Sequence, residues 1–198
     1  MDDFKIYKDE ELVPLFRKQN ESSDNVFFEL FQRHSKKLNA YCMIRVYDPE
    51  TVRDIIQDTW FEFVSAAKEG KDISNVQKYL IGIARNLINK YIKIQKQRSE
   101  LFINESGIHL DGLKINLNLQ LSIETNEFIS IVKIVSSMLD EPFREIYLLR
   151  KINDLTYTDI AAITGKTLQE VKRIYWKASL TMNDLLKPYF EEKESERI

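Results

Sequence analysis

The chain has 198 residues, with five Gly, four Pro and one Cys, a size and composition that suit one large or two small domains of mostly helical character. The single Cys42 excludes an intramolecular disulfide and a cysteine metal cluster, and His34 and His109 lack metal-site spacing, so neither a metal nor a cofactor is expected. A net charge of −2 gives no global sign of a nucleic-acid partner, and no apolar run approaches the roughly 18 residues of a membrane span, so a soluble, cytoplasmic protein is expected.

The first 21 residues are acidic, with a short amphipathic turn at 10–18 carrying Leu12, Leu15 and Phe16. Ser22-Ser23-Asp24 is a capping cluster before a helical stripe of Val26, Phe27, Leu30, Phe31, His34, Leu38, Tyr41, Cys42 and Val46, which should end near Tyr47. Cys42 sits within that stripe and reads as a small buried hydrophobe. Asp48-Pro49 supplies an N-cap and a first-turn proline for a helix over about 50–67. Its core stripe is predicted as Ile56, Trp60, Phe63 and Val64, leaving Asp54, Gln57, Asp58 and Glu62 off the core.

After the polar loop at 68–73, Ser74 or Asn75 should cap the helix around which the chain is organised. Leu80, Ala84, Leu87, Tyr91 and Ile94 form its predicted buried side. The other side carries Arg85, Asn86, Asn89, Lys90, Lys93 and Lys96. Between Asp72 and Glu100 there are six Lys or Arg and no carboxylate. A helix face built only for solubility usually mixes signs to gain i,i+4 pairs, so this stretch reads as a surface for a polyanion, with a solvated basic face as the plainer alternative.

From residue 99 to 125 the character changes to an acidic linker. Leu113, Ile115, Leu117, Leu119, Leu121 and Ile123 alternate with polar residues, a strand pattern. A second helical domain is expected over 126–190, followed by a charged, frayed tail at 191–198. Phe128, Ile131, Val132, Ile134, Val135 and Met138 mark its first helix. Phe143, Ile146, Tyr147 and Leu149 mark the inner side of the next. In 155–173, Thr156 or Thr158 opens a short helix, Gly165 allows a turn, and Thr167 caps another helix. That is helix-turn-helix punctuation, and an inert helical hairpin would share it. Gln169, Glu170, Lys172, Arg173 and Lys177 lie where side chains reach base edges or phosphates.

Together these stretches resemble a bacterial sigma factor of the extracytoplasmic-function branch of the sigma-70 family. Asp54-Ile55-Ile56-Gln57-Asp58-Thr59-Trp60 is similar to the family's Asp-Leu-Val-Gln-Glu-Val-Phe. Tyr79-Leu80-Ile81-Gly82-Ile83-Ala84-Arg85-Asn86 is similar to its Trp-Leu-x-x-Ile-Ala-x-Asn. The stretch from Leu139 to Lys172 is similar to its fourth region. The chain departs from the family at Lys90-Tyr91-Ile92-Lys93, where Asp-Tyr-x-Arg is usual, at Glu170, where Thr is frequent, and at Ile174 and Ser179, where arginines are common.

The resemblance implies an all-α fold of two small domains and a binding function without covalent chemistry. Asp54, Gln57, Asp58 and Glu62 would dock on the β′ clamp helices of core RNA polymerase, and the second domain would meet the β flap. Lys71, Ser74, Asn75, Lys78, Arg85, Asn86, Asn89, Lys90, Lys93 and Lys96 would engage the melted −10 element of promoter DNA, the 70–75 loop taking an unstacked base. Thr167, Gln169, Glu170, Lys172, Arg173 and Lys177 would read the −35 element. An anti-sigma protein is a further candidate partner. Two rival readings are a helix-turn-helix regulator that never joins polymerase and an adaptor that binds protein only.

Overall fold

A computed structural model describes residues 4–18, 22–106 and 126–195. All regular structure among them is helical. After a single 3-10 turn at Phe4–Ile6 come α1 (Asp9–Arg17), α2 (Ser23–Arg45), α3 (Pro49–Lys68), α4 (Val76–Ser106), α5 (Asn126–Ser137), α6 (Phe143–Lys151), α7 (Tyr157–Thr164) and α8 (Leu168–Ser195).

Helices α1–α4 pack on one another, α6 and α7 pack on α8 with α5 alongside, and the two groups touch where α5 meets α2 and α7 meets α4. The expected two-domain helical fold is present. The first core is built from Leu12, Leu30, Leu38, Tyr41, Phe63, Leu80, Ile81 and Ile88, all fully buried. At about 1.5–3 kcal/mol for each large apolar side chain removed from water, this stripe packing dominates the stability of the bundle.

Helix boundaries follow the local signals. The Asp48 carboxylate accepts the Thr51 backbone N–H at 2.8 Å, and Pro49 fills the first turn of α3. Asn75 caps α4, its Oδ1 accepting from the Lys78 N–H at 2.8 Å. Arg17 ties α1 to the end of α3 by donating to the Ala67 and Lys71 carbonyls. Cys42 is buried as expected, and desolvation pushes its thiol up to about 12, which leaves it inert.

Several expectations are corrected. The core stripe of α3 is rotated: Val52, Ile55, Thr59, Trp60, Phe63, Ala66 and Ala67 are buried, while Ile56 and Val64 are only half-buried. Thr59 belongs inside because its hydroxyl donates to the Ile55 carbonyl at 2.6 Å, which removes the cost of burying it. On α4, Ile81, Ile83 and Ile88 join the core, whereas Ile94 is exposed. Helix α5 ends at Ser137, one residue before Met138, which was expected within it. Helix α4 continues through 99–106, a stretch expected to belong to the linker, and α8 continues through Ser195 into the expected frayed tail. The alternating stretch at 113–123 lies outside the described residues.

Candidate nucleic-acid interface

Three surfaces carry the residues singled out by sequence. On α3, Asp54, Gln57, Asp58 and Glu62 are all exposed, as their offset from the core requires. Beside them runs an apolar groove of about 370 Å³ lined by Phe27, Phe31, Arg53, Ile56, Gln57, Trp60, Phe61 and Val64. Its floor is an aromatic cluster in which Trp60 meets Phe27 edge-on at 5.6 Å, Phe31 at 5.1 Å and Phe63 at 5.7 Å. Phe61 stands on the rim with two thirds of its surface in water (66%), an exposure that an isolated bundle has no reason to maintain. Phe61 escaped sequence analysis because an aromatic beside an apolar stripe reads as core.

The polar face of α4 is divided. Asn86, Lys90, Lys93 and Lys96 are exposed. Lys78 and Arg85 are turned toward α7 and α6, and Asn89 toward α2. Arg85 donates to both Glu145 oxygens, at 2.9 and 3.2 Å, and to the Ile163 carbonyl at 3.1 Å. Lys78 lies 3.3 Å from Asp159. The Asn89 side-chain oxygen accepts from Arg45 at 3.5 Å. Arg45, itself buried, pairs with Glu141 and stands 3.9 Å from Glu145. Burial opposes its charge, but the nearby Tyr41, Glu141 and Glu145 raise its affinity for the proton above the usual arginine value. Ahead of α4, Ser74 and Asn75 are exposed, and Lys71 sits over the Tyr79 ring at 5.6 Å.

The third surface is the start of α8. Thr156 opens α7 with a capping box to Asp159, and Gly165 adopts the left-handed conformation (φ 69°) that only glycine takes without strain. Thr167 then caps α8. Its hydroxyl accepts the Glu170 N–H at 3.3 Å, and the Glu170 carboxylate accepts the Thr167 N–H at 2.9 Å and its hydroxyl at 2.7 Å. Those bonds lower the Glu170 pKa below its usual value. Glu170 is therefore spoken for by the helix start. Gln169, Lys172, Arg173 and Lys177 are exposed, and Trp176, equally exposed, stands among them. Val171 is buried in the angle between the helices.

No group of three or more His, Cys, Asp or Glu that could hold a metal occurs among the described residues. His34 is instead a core residue, held between Asp9 at 2.7 Å and Gln77 at 2.8 Å. No helix among the described residues is long and apolar enough to cross a membrane.

An all-helical, two-domain chain with a capped helix-turn-helix in its second half is the class this architecture defines. The Sigma-70 region 2 family matches residues 30–98. RNA polymerase sigma factor YlaC of Bacillus subtilis (strain 168) is 25% identical over 174 residues, covering 86% of this chain and 95% of that protein. CnrH, solved in complex with the cytosolic domain of CnrY, shares the fold with a TM-score of 0.63 at 19% identity, over 91% of this chain and 97% of that one. The sigma factor RpoE solved with the anti-sigma factor NepR from Bartonella quintana shares it at 0.57 and 20% identity, over 85% and 98%. Over residues 30–98 the chain carries a sigma-70 region 2, and along most of its length it is similar to an RNA polymerase sigma factor.

Proposed function

We propose that this sigma factor divides its work among the three surfaces. Residues 1–98 dock on core RNA polymerase and open the −10 element, 99–125 connect, 126–190 grip the −35 element, and 191–198 form a charged tail. The acidic rim of α3, at Asp54, Asp58 and Glu62, faces basic side chains of the clamp helices, and Phe61 with the Trp60 groove takes an apolar anchor. Electrostatic complementarity of this kind sets encounter rate and register, while the buried aromatic carries most of the affinity.

Lys90, Lys93 and Lys96 neutralise phosphates of the opened strand, and Lys71, Ser74 and Asn75 border the place where an unstacked base is held. Gln169, Lys172 and Arg173 enter the major groove, where the helix start fixed by Thr167 and Glu170 sets their register. The partners are core polymerase, including its β flap, promoter DNA in the cytoplasm, and an anti-sigma protein. The work is binding rather than covalent chemistry.

The observation that carries this reading is the coexistence in one chain of an acid-rimmed aromatic groove, a basic helix free of carboxylates over residues 73–99, and a capped recognition helix. Promoter-dependent run-off transcription with core polymerase tests it. Specific transcripts that require the added chain support it. A chain that footprints a promoter alone but never starts a transcript is a regulator, and one that binds neither DNA nor polymerase is an adaptor.

A further inference from the structure

Between the segment leading into α1 and the loop ahead of α4 lies a polar cavity of about 530 Å³, within the roughly 300–1,000 Å³ of small-molecule sites. Lys5, Tyr7, Lys8 and Glu10 line one side of it, and Ser74 and Asn75 the other. The 3-10 turn Phe4–Ile6 buries no residue of its own, so apolar packing does not fix it. Arg33 of α2 does. Its guanidinium donates to the carbonyls of Phe4, Lys5 and Tyr7 at 3.1, 3.2 and 2.8 Å. It also donates to the carboxylates of Asp9 at 2.9 Å and Glu29 at 2.7 Å, so every N–H of the fork is spent. The loop side is tied down as well. Arg17 donates to the Ala67 carbonyl at 3.0 Å and to the Lys71 carbonyl, and the Asn75 side chain caps α4.

We propose that the segment 5–10 is the second wall of the pocket that takes the unstacked base, and a determinant of which base is accepted. The inference rests on the reading of the 70–75 loop as the holder of that base. The Tyr7 ring is 38% exposed and lies 6.2 Å from the Phe4 ring, which braces it as a face for the base to pack on. Lys5 and Lys8 supply charge for the flanking phosphates. The Ser74 hydroxyl meets the base edge from the loop. Of the carboxylates in the lining, Asp9 is engaged by Arg33 and His34, and Glu10 lies 4.0 Å from Lys8. Lys5, Lys8 and Arg33 against Asp9 and Glu10 leave one positive charge in excess, which suits a nucleotide. Because both walls are fixed before DNA arrives, bases of different size differ in fit as well as in hydrogen bonding.

The test uses core polymerase carrying the full chain, which selects from a DNA library with a preformed bubble randomised across the opened segment; the bound fraction is sequenced. The wild type should prefer certain bases at one position, and Tyr7→Ala/Lys8→Ala should erase that preference while keeping those elsewhere. Affinity for the favoured sequence should fall about tenfold, the size of one lost stacking contact. Tyr7 and Lys8 are exposed, and their backbone bonds to Arg33 and Glu11 survive truncation, so the melting temperature and core binding should hold. Ser74→Trp fills the cavity from the loop side and should erase the same preference.

Loss of the same preference in both variants supports a shared pocket. Loss in Ser74→Trp alone overturns the inference and leaves the loop standing as the holder of the base. Loss in Tyr7→Ala/Lys8→Ala alone, or at a different position in each variant, overturns it too, since the two walls then do not meet one nucleotide. No loss in either variant sinks the reading of the 70–75 loop, and the inference with it.

Discussion

Arg85 of α4 and Glu145 of α6, 60 residues apart, meet fork to fork, with both carboxylate oxygens accepting from the guanidinium at 2.9 and 3.2 Å. The Glu145 side chain is only 8% exposed, so its oxygens are met by these partners rather than by water. Truncating one member of such a pair leaves the other buried and uncompensated. Glu145→Ala should therefore lower stability by about 3–5 kcal/mol, and Glu145→Ala/Arg85→Ala by less than the sum of the single losses. Urea denaturation of the four forms of this cycle measures the coupling, and additive losses would show that the pair contributes nothing of its own.

Docking is expected to separate cleanly from folding. Asp54, Asp58 and Phe61 are exposed, so Asp54→Arg/Asp58→Arg and, separately, Phe61→Ser should shift stability by no more than about 0.5 kcal/mol. Each should nonetheless abolish or greatly weaken co-elution with core polymerase, the first by charge repulsion and the second by loss of an aromatic anchor. Undiminished co-elution of both variants would move the docking face off α3.

The basic stretch of α4 has a signature in salt. Replacing Lys90, Lys93 and Lys96 by Ala should reduce the slope of log affinity against log salt, for the polymerase–promoter complex, by roughly 2–3 units, at about one counterion released for each lysine. Open-complex formation should slow while core binding holds. Normal initiation with an unchanged slope would return these lysines to a solubilising role.

Within α8, base reading and phosphate grip should come apart. Arg173→Ala is expected to cost about 1–3 kcal/mol at one promoter position and to relax preference there, whereas Lys177→Ala, one turn on, should weaken all upstream sequences alike. Selection from a randomised −35 element distinguishes them, and the same preference in both variants would mean that α8 holds only the backbone.

The start of α8 also predicts a pH dependence. Thr167→Ala removes an N-cap and should cost about 1 kcal/mol at neutral pH. Glu170 has a lowered pKa because Thr167 donates to it. Its contribution is therefore complete above the ordinary glutamate value of 4.5 and is lost as pH falls through the lowered folded value. The gap in melting temperature between wild type and Thr167→Ala should narrow in acid below that value. A constant gap would mean that the Glu170 half of the box adds no stability.

Much of this was legible in the sequence, and the limits have physical causes. The local signals at Asp48-Pro49, Thr156, Gly165 and Thr167 act within one turn of chain, so they could be read directly and the structure places each as expected. The exposure of Asp54, Gln57, Asp58 and Glu62 followed from their offset around α3. The rotation of that helix did not, because Ile56, Val64 and Phe61 are as apolar as Ile55 and Phe63, and an apolar surface groove shares the composition of a core. Long-range pairing was hidden altogether. Nothing near Arg85 in sequence announces that Glu145, Asp159 and the Ile163 carbonyl will lie against the same helix.

Asp9, His34, Gln77 and Asn153 stand in series, joined at 2.7, 2.8 and 3.3 Å. They come from α1, α2, α4 and the turn after α6, so the N-terminal helix is coupled by four side chains to the far half of the molecule. Arg33 fastens the same end, donating to Asp9 at 2.9 Å and to the Tyr7 carbonyl at 2.8 Å. Such a row behaves as a strut: it transmits displacement because none of its members has slack to absorb it. A ligand that peeled α1 from α2 would thereby loosen the turn at Asn153 without touching it.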